Sequence, residues 1–514
     1  MGRPQTSLAF AASLPLAHAL ASPIHAETPD HVTRERVEAA LTALDRSAQE
    51  QIAKDAVPGL AIAVVFQDEL VFARGYGTRD TGTGKPVDAD TVFQLASVSK
   101  PIGATVVAAL VGEGKISWDS RIGDLDPTFE MFDPWVTREI TLRDLYAHRS
   151  GLPEHAGDLL EDLGYDRAEV LHRLRFQHPA SSFRWEYAYT NFGITAAAVA
   201  AAKAYGLDWE EASEAKLYAP LGMTATSSRH ADFLARPNHA RGHVRVDGAW
   251  VPKYDRDPAA QSPAGGVSSS VTDMAKWMRL QLGGGMFDGT QVVAEAPLAE
   301  THVPQMLTNP TSLSGLPQFY GLGWNVTWPA DGQLRLSHSG AFALGAGTTV
   351  SLSPADGLGI VVLTNAAPTG IAEGLAAGFM DTAIDGQPAR DWLAAYGDIF
   401  RQMMEAQAST AYSTRPESPT PAAASAAYVG TYANDYFGDI EITATDGGLA
   451  IVQGPKETAF AMMHYDGDVF TYVTESESAT GTTGVSFTRG SDGRAARVLV
   501  ENLDVNGEGS FRRK

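Results

Sequence analysis

Apolar residues recur at helical spacing near the start of the chain: Val37, Leu41 and Leu44 share one face of residues 31–56, and charges fill the other. That pattern predicts an amphipathic helix. In PGLAIAVVFQDELVFARGYG two β-rich runs flank Gln67-Asp68 and read as a hairpin. In PIGATVVAALVGEGK, Ile102, Val106 and Leu110 form a helical stripe that Gly114 would close. The region from about 116 to 330 is mixed and loop-rich. It holds an Ala-rich helix after Asn191, ending at Gly206, and a helix near SSVTDMAKWMRLQLGGG, where Ser270 and Asp273 have capping-box spacing. Strands return at QLRLSHSG, GTTVSLSP and LGIVVLTN, the last two joined by an ADG turn; helices over about 370–384 and 390–407 follow. Strands at both ends with helices between predict an α+β fold: one antiparallel sheet flanked by helices, with a helical region inserted.

After residue 407 the pattern changes. Residues 408–427 are rich in Pro, Ser, Thr and Ala and read as a linker; residues 428–514 alternate apolar and polar positions. Turn signals at Asp446-Gly447, Asp466-Gly467, Asp492-Gly493 and Asn506-Gly507 predict a small up-and-down β-barrel. The first 26 residues, with Arg3, a short apolar run and small residues near Ala21 and Ala26, read as a secretory signal peptide, leaving a main domain over 27–407. An exported protein, periplasmic or secreted, is expected. No later run approaches the ~20 apolar residues of a membrane span.

The net charge of −22 argues against nucleic acid as a partner. The absence of cysteine excludes disulfides and thiol catalysis. His239 and His243 in HARGH lie four apart, but flanking glycine and proline make this a loop rather than a metal-binding helix, and no cofactor or metal is expected.

The candidate chemistry begins at VFQLASVSKPIGA. Ser97 and Lys100 are three apart and share a helical face; Ser99 and Lys100 are adjacent and diverge. A serine at a helix start meets outward-pointing N–H groups, and a nearby lysine of depressed pKa can help remove its proton. Ser-x-x-Lys gains weight from Tyr189-Thr190-Asn191 and from His338-Ser339-Gly340, which follow it in order. His148 and Ser150 in HRSGLP read as a structural turn near the site.

With these motifs, and with ITLRDLYAHRSGLP, PLGMTAT, AGGVSSSVTDMAKW and YGLGW, residues 31–400 resemble the serine hydrolases related to class C β-lactamases and penicillin-binding proteins. That family includes D-aminopeptidases, D-Ala-D-Ala carboxypeptidases and esterases. The C-terminal module resembles the lipocalin-like barrels appended to such enzymes. The resemblance implies Ser97 as the acylated nucleophile, Lys100 in its proton network and Tyr189 as general base and proton donor, its phenol depressed by a cation such as Lys100. It implies Asn191 as an orienting residue for Lys100 and substrate, His338, Ser339 and Gly340 as a substrate-binding strand, and the N–H groups of Ser97 and Ala341 as the oxyanion hole. Class C β-lactamases usually carry lysine where His338 stands, so a small ester or amide, D-amino-acid peptides included, is expected ahead of a β-lactam. Alternatives are a β-lactamase or D,D-carboxypeptidase, and a non-hydrolytic ligand sensor. The oligomeric state is not readable.

Overall fold

A computed structural model describes residues 32–310, 315–407 and 410–514, which form one compact unit; the expected leader over 1–26 lies outside them. The first helix is α1 (Arg34–Ala53), begun by the Thr33 hydroxyl, which accepts the Arg36 N–H at 3.3 Å. The hairpin is β1 (Gly59–Phe66) and β2 (Glu69–Asp80), and Gln67 and Asp68 between them take φ of 48° and 64°. Positive φ at both turn residues matches the right-handed twist of the strands. β3 (Lys85–Pro86) extends that edge.

Next come α2 (Ser99–Gly112), α3 (Asp158–Asp162), α4 (Asn191–Lys203) and α5 (Val271–Leu282). The expected capping box of α5 is half formed. Ser270 accepts the Asp273 N–H at 3.2 Å, but the Asp273 carboxylate turns to the Ala225 N–H at 2.7 Å and Lys276 Nζ at 2.8 Å. Tertiary donors outcompete the local return bond. The remaining strands of the sheet are β4 (Met306–Asn309), β5 (Gln318–Tyr320), β6 (Asn325–Thr327), β7 (Arg335–Phe342), β8 (Ala346–Ser353) and β9 (Leu358–Thr364), followed by α6 (Ile371–Asp385) and α7 (Trp392–Gln407).

The nine strands pair antiparallel in the order β4-β5-β6-β7-β8-β9-β1-β2-β3, so the early hairpin closes onto the late strand β9. β1 is buried on both faces: Leu60, Ile62, Val64 and Phe66 pack with α1 and α6, while Ala61, Ala63 and Val65 join the core of α2 and α5. Burial on both faces explains the unbroken apolar run GLAIAVVF.

The C-terminal part is a closed eight-stranded barrel of β10 (Gly430–Ala433), β11 (Ile440–Thr445), β12 (Gly448–Gln453), β13 (Thr458–Asp466), β14 (Val469–Val473), β15 (Thr482–Arg489), β16 (Ala495–Val500) and β17 (Ser510–Arg513), with β10 and β17 paired. The Pro- and Ser-rich segment before it is bound to its wall. Tyr465 OH donates to the Thr414 carbonyl at 2.9 Å, and the Gly467 N–H to the Thr420 carbonyl at 2.8 Å. The barrel in turn contacts the helical region: the Gly157 N–H donates to Tyr436 OH, and Tyr165 OH to the Phe437 carbonyl, both at 2.9 Å. No described helix is long and apolar enough to cross a membrane.

Candidate active site

Ser97 lies in a single 3-10 turn, Ala96–Val98, that runs directly into α2. Ala96 is held at φ 46°, a left-handed conformation costing an L-residue roughly 1–2 kcal/mol, so tertiary contacts must enforce the turn. Those contacts come from β7. A Cβ on Gly340 would stand 2.3 Å from the Leu95 carbonyl oxygen and 2.9 Å from the Ser97 nitrogen. Only glycine lets the strand approach the nucleophile turn this closely.

The serine oxygen sits between an amine and a phenol. Lys100 Nζ is 3.0 Å from Ser97 Oγ, and Tyr189 OH donates to the same oxygen at 2.8 Å. Lys100 is fully buried and also donates to Asn191 Oδ1 at 2.7 Å and to the Ala264 carbonyl at 3.0 Å. Burial drives its pKa down to about 7, with the Asp158 carboxylate opposing. Asn191 Nδ2 donates to Asp158 Oδ2 at 2.8 Å, which fixes the amide with its oxygen toward Lys100; His155 Nδ1 meets the same carboxylate oxygen at 2.9 Å. Ser99 is structural: its hydroxyl accepts the Val267 N–H at 3.0 Å.

The expectation that Lys100 depresses the Tyr189 phenol is not met. Burial raises that pKa, with the Ser97 hydrogen bond opposing. Lys100 Nζ lies 4.5 Å from the ring centroid, over the face, so its charge acts on the π-system. Behind Tyr189 stands His148, 4.6 Å between ring centroids, with Nδ1 accepting the Thr190 N–H at 3.1 Å; the HRSGLP turn thus supports the phenol.

His338 is buried and neutral near pH 7. Burial, then the Lys100 charge, lowers its pKa to about 3. Its Nδ1 donates to the Ser339 carbonyl at 2.7 Å, which leaves Nε2 to accept from Tyr320 OH at 2.9 Å. His338 and Gly340 face the nucleophile. Strand alternation sends the Ser339 side chain to the other face, 3.4 Å from Thr349 Oγ1 and beside Glu373 of α6, so the Ser339 hydroxyl is not part of this cluster. Ala341 is exposed, one residue beyond the Gly340 contact. His239 and His243 lie in loops, and no group of residues suited to a metal ion occurs among the described residues.

Sequence reasoning missed Asp158, His155 and the Ala264 carbonyl. Ala264 lies in the AGGVSSS stretch, a usable signal; Asp158 opens the short helix α3, with no motif around it.

Comparison with known proteins agrees with this geometry. The family described as Beta-lactamase matches residues 44–379, and a domain of unknown function (DUF3471) matches residues 414–511. The chain is 29% identical over 467 residues to an unguisins hydrolase of Aspergillus violaceofuscus, covering 83% of this chain and 82% of that protein. It is 29% identical to penicillin-binding protein 4 of Amycolatopsis lactamdurans, covering 60% and 81% of the two chains. It is 25% identical to the D-alanyl-D-alanine-carboxypeptidase/endopeptidase AmpH of Escherichia coli, covering 63% and 84%. In fold it matches an octameric penicillin-binding protein homologue from Pyrococcus abyssi, with a TM-score of 0.59 at 19% identity over 90% of this chain and 98% of that one. The order of the motifs, the sheet closed by its two ends and the family match lead to one conclusion: the chain belongs to the beta-lactamase family and is a serine hydrolase.

Proposed function

We propose that the protein cleaves a small amide or ester, with D-amino-acid peptides as the first class to test, through a covalent acyl-enzyme on Ser97. The observation that carries this reading is the Ser97 hydroxyl lying between a buried amine and a buried phenol. A neutral amine has two N–H groups and one lone pair. Asn191 Oδ1 and the Ala264 carbonyl accept only, so they take the N–H groups and leave the lone pair for the Ser97 proton. With a pKa of about 7, a large fraction of Lys100 is neutral at neutral pH.

Ser97 Oγ attacks the acyl carbon and its proton passes to Lys100. The carbonyl electron pair moves onto oxygen, stabilised by the backbone N–H groups of Ser97 and Ala341. Collapse breaks the bond to the leaving group, which takes a proton from Tyr189, and the Lys100 ammonium restores the phenol. Water then attacks the acyl carbon with the same groups in reverse order, releasing the acid and freeing Ser97.

The neutral His338 favours substrates that carry no carboxylate for a strand cation to grip, and so an internal amide or an ester over a β-lactam. The name of one relative, a D-alanyl-D-alanine-carboxypeptidase/endopeptidase, supports peptide cleavage. The leader-like first 26 residues support export to the periplasm or medium, and N-terminal sequencing of the mature protein tests that. For the chemistry, p-nitrophenyl esters, D- and L-amino-acid p-nitroanilides, D-Ala-D-Ala peptides and nitrocefin should be compared. Ser97→Ala is expected to abolish every activity the wild type has; full retention would refute the mechanism.

A further inference from the structure

Four segments around the Ser97 site meet at Arg256. Its Nη2 donates to Glu161 Oε2 at 2.5 Å, and its Nε lies 3.6 Å from Glu477 Oε2. Its guanidinium carbon stands 5.0 Å from the centroid of the Phe342 ring, and its carbonyl accepts the Gln94 side-chain amide at 2.8 Å. Glu161 is on α3, one turn after Asp158. Phe342 ends β7, and Gln94 is three residues before Ser97. Glu477 comes from the barrel, in the connection between β14 and β15.

The Glu477 carboxylate does more than face an arginine. It accepts the Ala343 N–H at 2.5 Å and the Leu344 N–H at 3.4 Å, at the turn that joins β7 to β8. Successive backbone N–H groups converging on one anion form a nest, here filled by a side chain distant in sequence. Beside it, the Ser478 N–H donates to Asp162 Oδ2 of α3 at 2.9 Å.

We propose that Glu477 and Arg256 are positioning residues of the hydrolase site, through which the barrel holds the strand end bearing Ala341 against the nucleophile turn. β6 pairs with β7 only over Arg335–Ser337, so from His338 onward β7 has, among the described residues, a strand neighbour on the β8 side alone. The end of this two-stranded extension needs another anchor. A Cβ on Gly345 would stand 2.4 Å from the Gly242 backbone, which limits movement on one side; Glu477 holds the neighbouring turn residues from the barrel. The cation suits the task. An arginine fork addresses two carboxylates, stacks on an aromatic ring and keeps its charge.

Glu161, Asp162 and Glu477 share Arg256, with the Lys253–Glu475 pair at 4.0 Å near the same connection. Burial raises the Glu477 carboxyl to about 7, with Arg256 opposing, and burial raises Glu161 and Asp162 as well. Charge on Glu477 is therefore complete only above neutral pH.

The kinetic arm of the test rests on the Ser97 hydrolase reading; the exchange arm needs no turnover. Full-length wild type, Glu477→Ala, Glu477→Gln and Arg256→Lys are compared by steady-state kinetics on the best ester or anilide and by amide hydrogen exchange of peptides covering residues 338–348. Misplacing a catalytic group by about 1 Å costs on the order of a hundredfold. Glu477→Ala is expected to lower kcat about ten- to a hundredfold with KM little changed, and to speed exchange in 342–346 but not in α2 or the barrel strands. Glu477→Gln, which keeps an acceptor, is expected to fall between wild type and Glu477→Ala. Unchanged exchange at 342–346 in Glu477→Ala would overturn the proposal, as would faster exchange throughout the chain, which marks a merely structural role. If the wild type turns over no substrate, the functional reading fails while the exchange arm still decides this one.

Discussion

Lys100 and Arg256 are both buried cations of the hydrolase domain, and they are built for opposite purposes. Lys100 meets neutral acceptors, a side-chain amide and a backbone carbonyl, with its nearest carboxylate, Asp158, one residue removed through Asn191. The Asp158 charge compensates it only in part, so burial brings the pKa to about 7 and the proton becomes movable. Arg256 is ion-paired to Glu161 and faces Glu477, and a guanidinium holds its proton throughout the working range of a protein. The contrast teaches that the partners of a buried cation, more than its burial, indicate whether it moves protons or holds geometry.

Exchanging the two side chains tests that contrast most severely. Lys100→Arg keeps a charge and removes the base, so acylation of Ser97 should fall by about a thousandfold, within the range for loss of a general base. The burst of p-nitrophenol from an active ester measures it. Arg256→Lys keeps a charge at a site where only geometry matters, and kcat should fall by about tenfold. Equal losses in the two variants would erase the distinction.

A finer test concerns the second carboxylate. The Asp158 charge holds the Lys100 pKa up against burial, so Asp158→Asn should move the acid limb of kcat/KM to lower pH. A limb that stays in place would show that Asp158 acts only by orienting Asn191.

The smallest effect concerns stability. Glu477 has a folded pKa of about 7 against an ordinary value of 4.5. A raised carboxyl pKa means that folding favours the protonated form, so its contribution is full below about 4.5 and is lost as pH rises through about 7. The wild type is expected to show a fall in Tm between about pH 5 and 8 that Glu477→Gln flattens; parallel Tm curves would contradict the assignment.

Much of this was legible in sequence because it depends on local spacing. The one-turn separation of Ser97 and Lys100 selects the nucleophile, and the Val267 N–H bond of Ser99 accounts for the other serine. The paired ends of the sheet follow from where the β-rich runs fall, and the barrel from its Asp-Gly and Asn-Gly turns. What was hidden depends on partners distant in sequence. The Asp273 carboxylate has capping-box spacing but finds better donors elsewhere. Ser339 matches a motif, yet strand alternation turns its hydroxyl away from Ser97. No periodicity links Glu477 to Ala343 across 134 residues. The tyrosine pKa was misjudged because sequence brings Lys100 near Tyr189 without saying that it lies over the ring rather than beside the hydroxyl.

The central claim is that Lys100, made neutral by burial, takes the Ser97 proton. The most direct test is the rate of the acylation burst in wild-type protein from pH 5 to pH 10. The rate is predicted to rise tenfold per pH unit below about 7 and then level. A rate that keeps climbing toward pH 10 would identify the Tyr189 phenolate as the base and contradict the account.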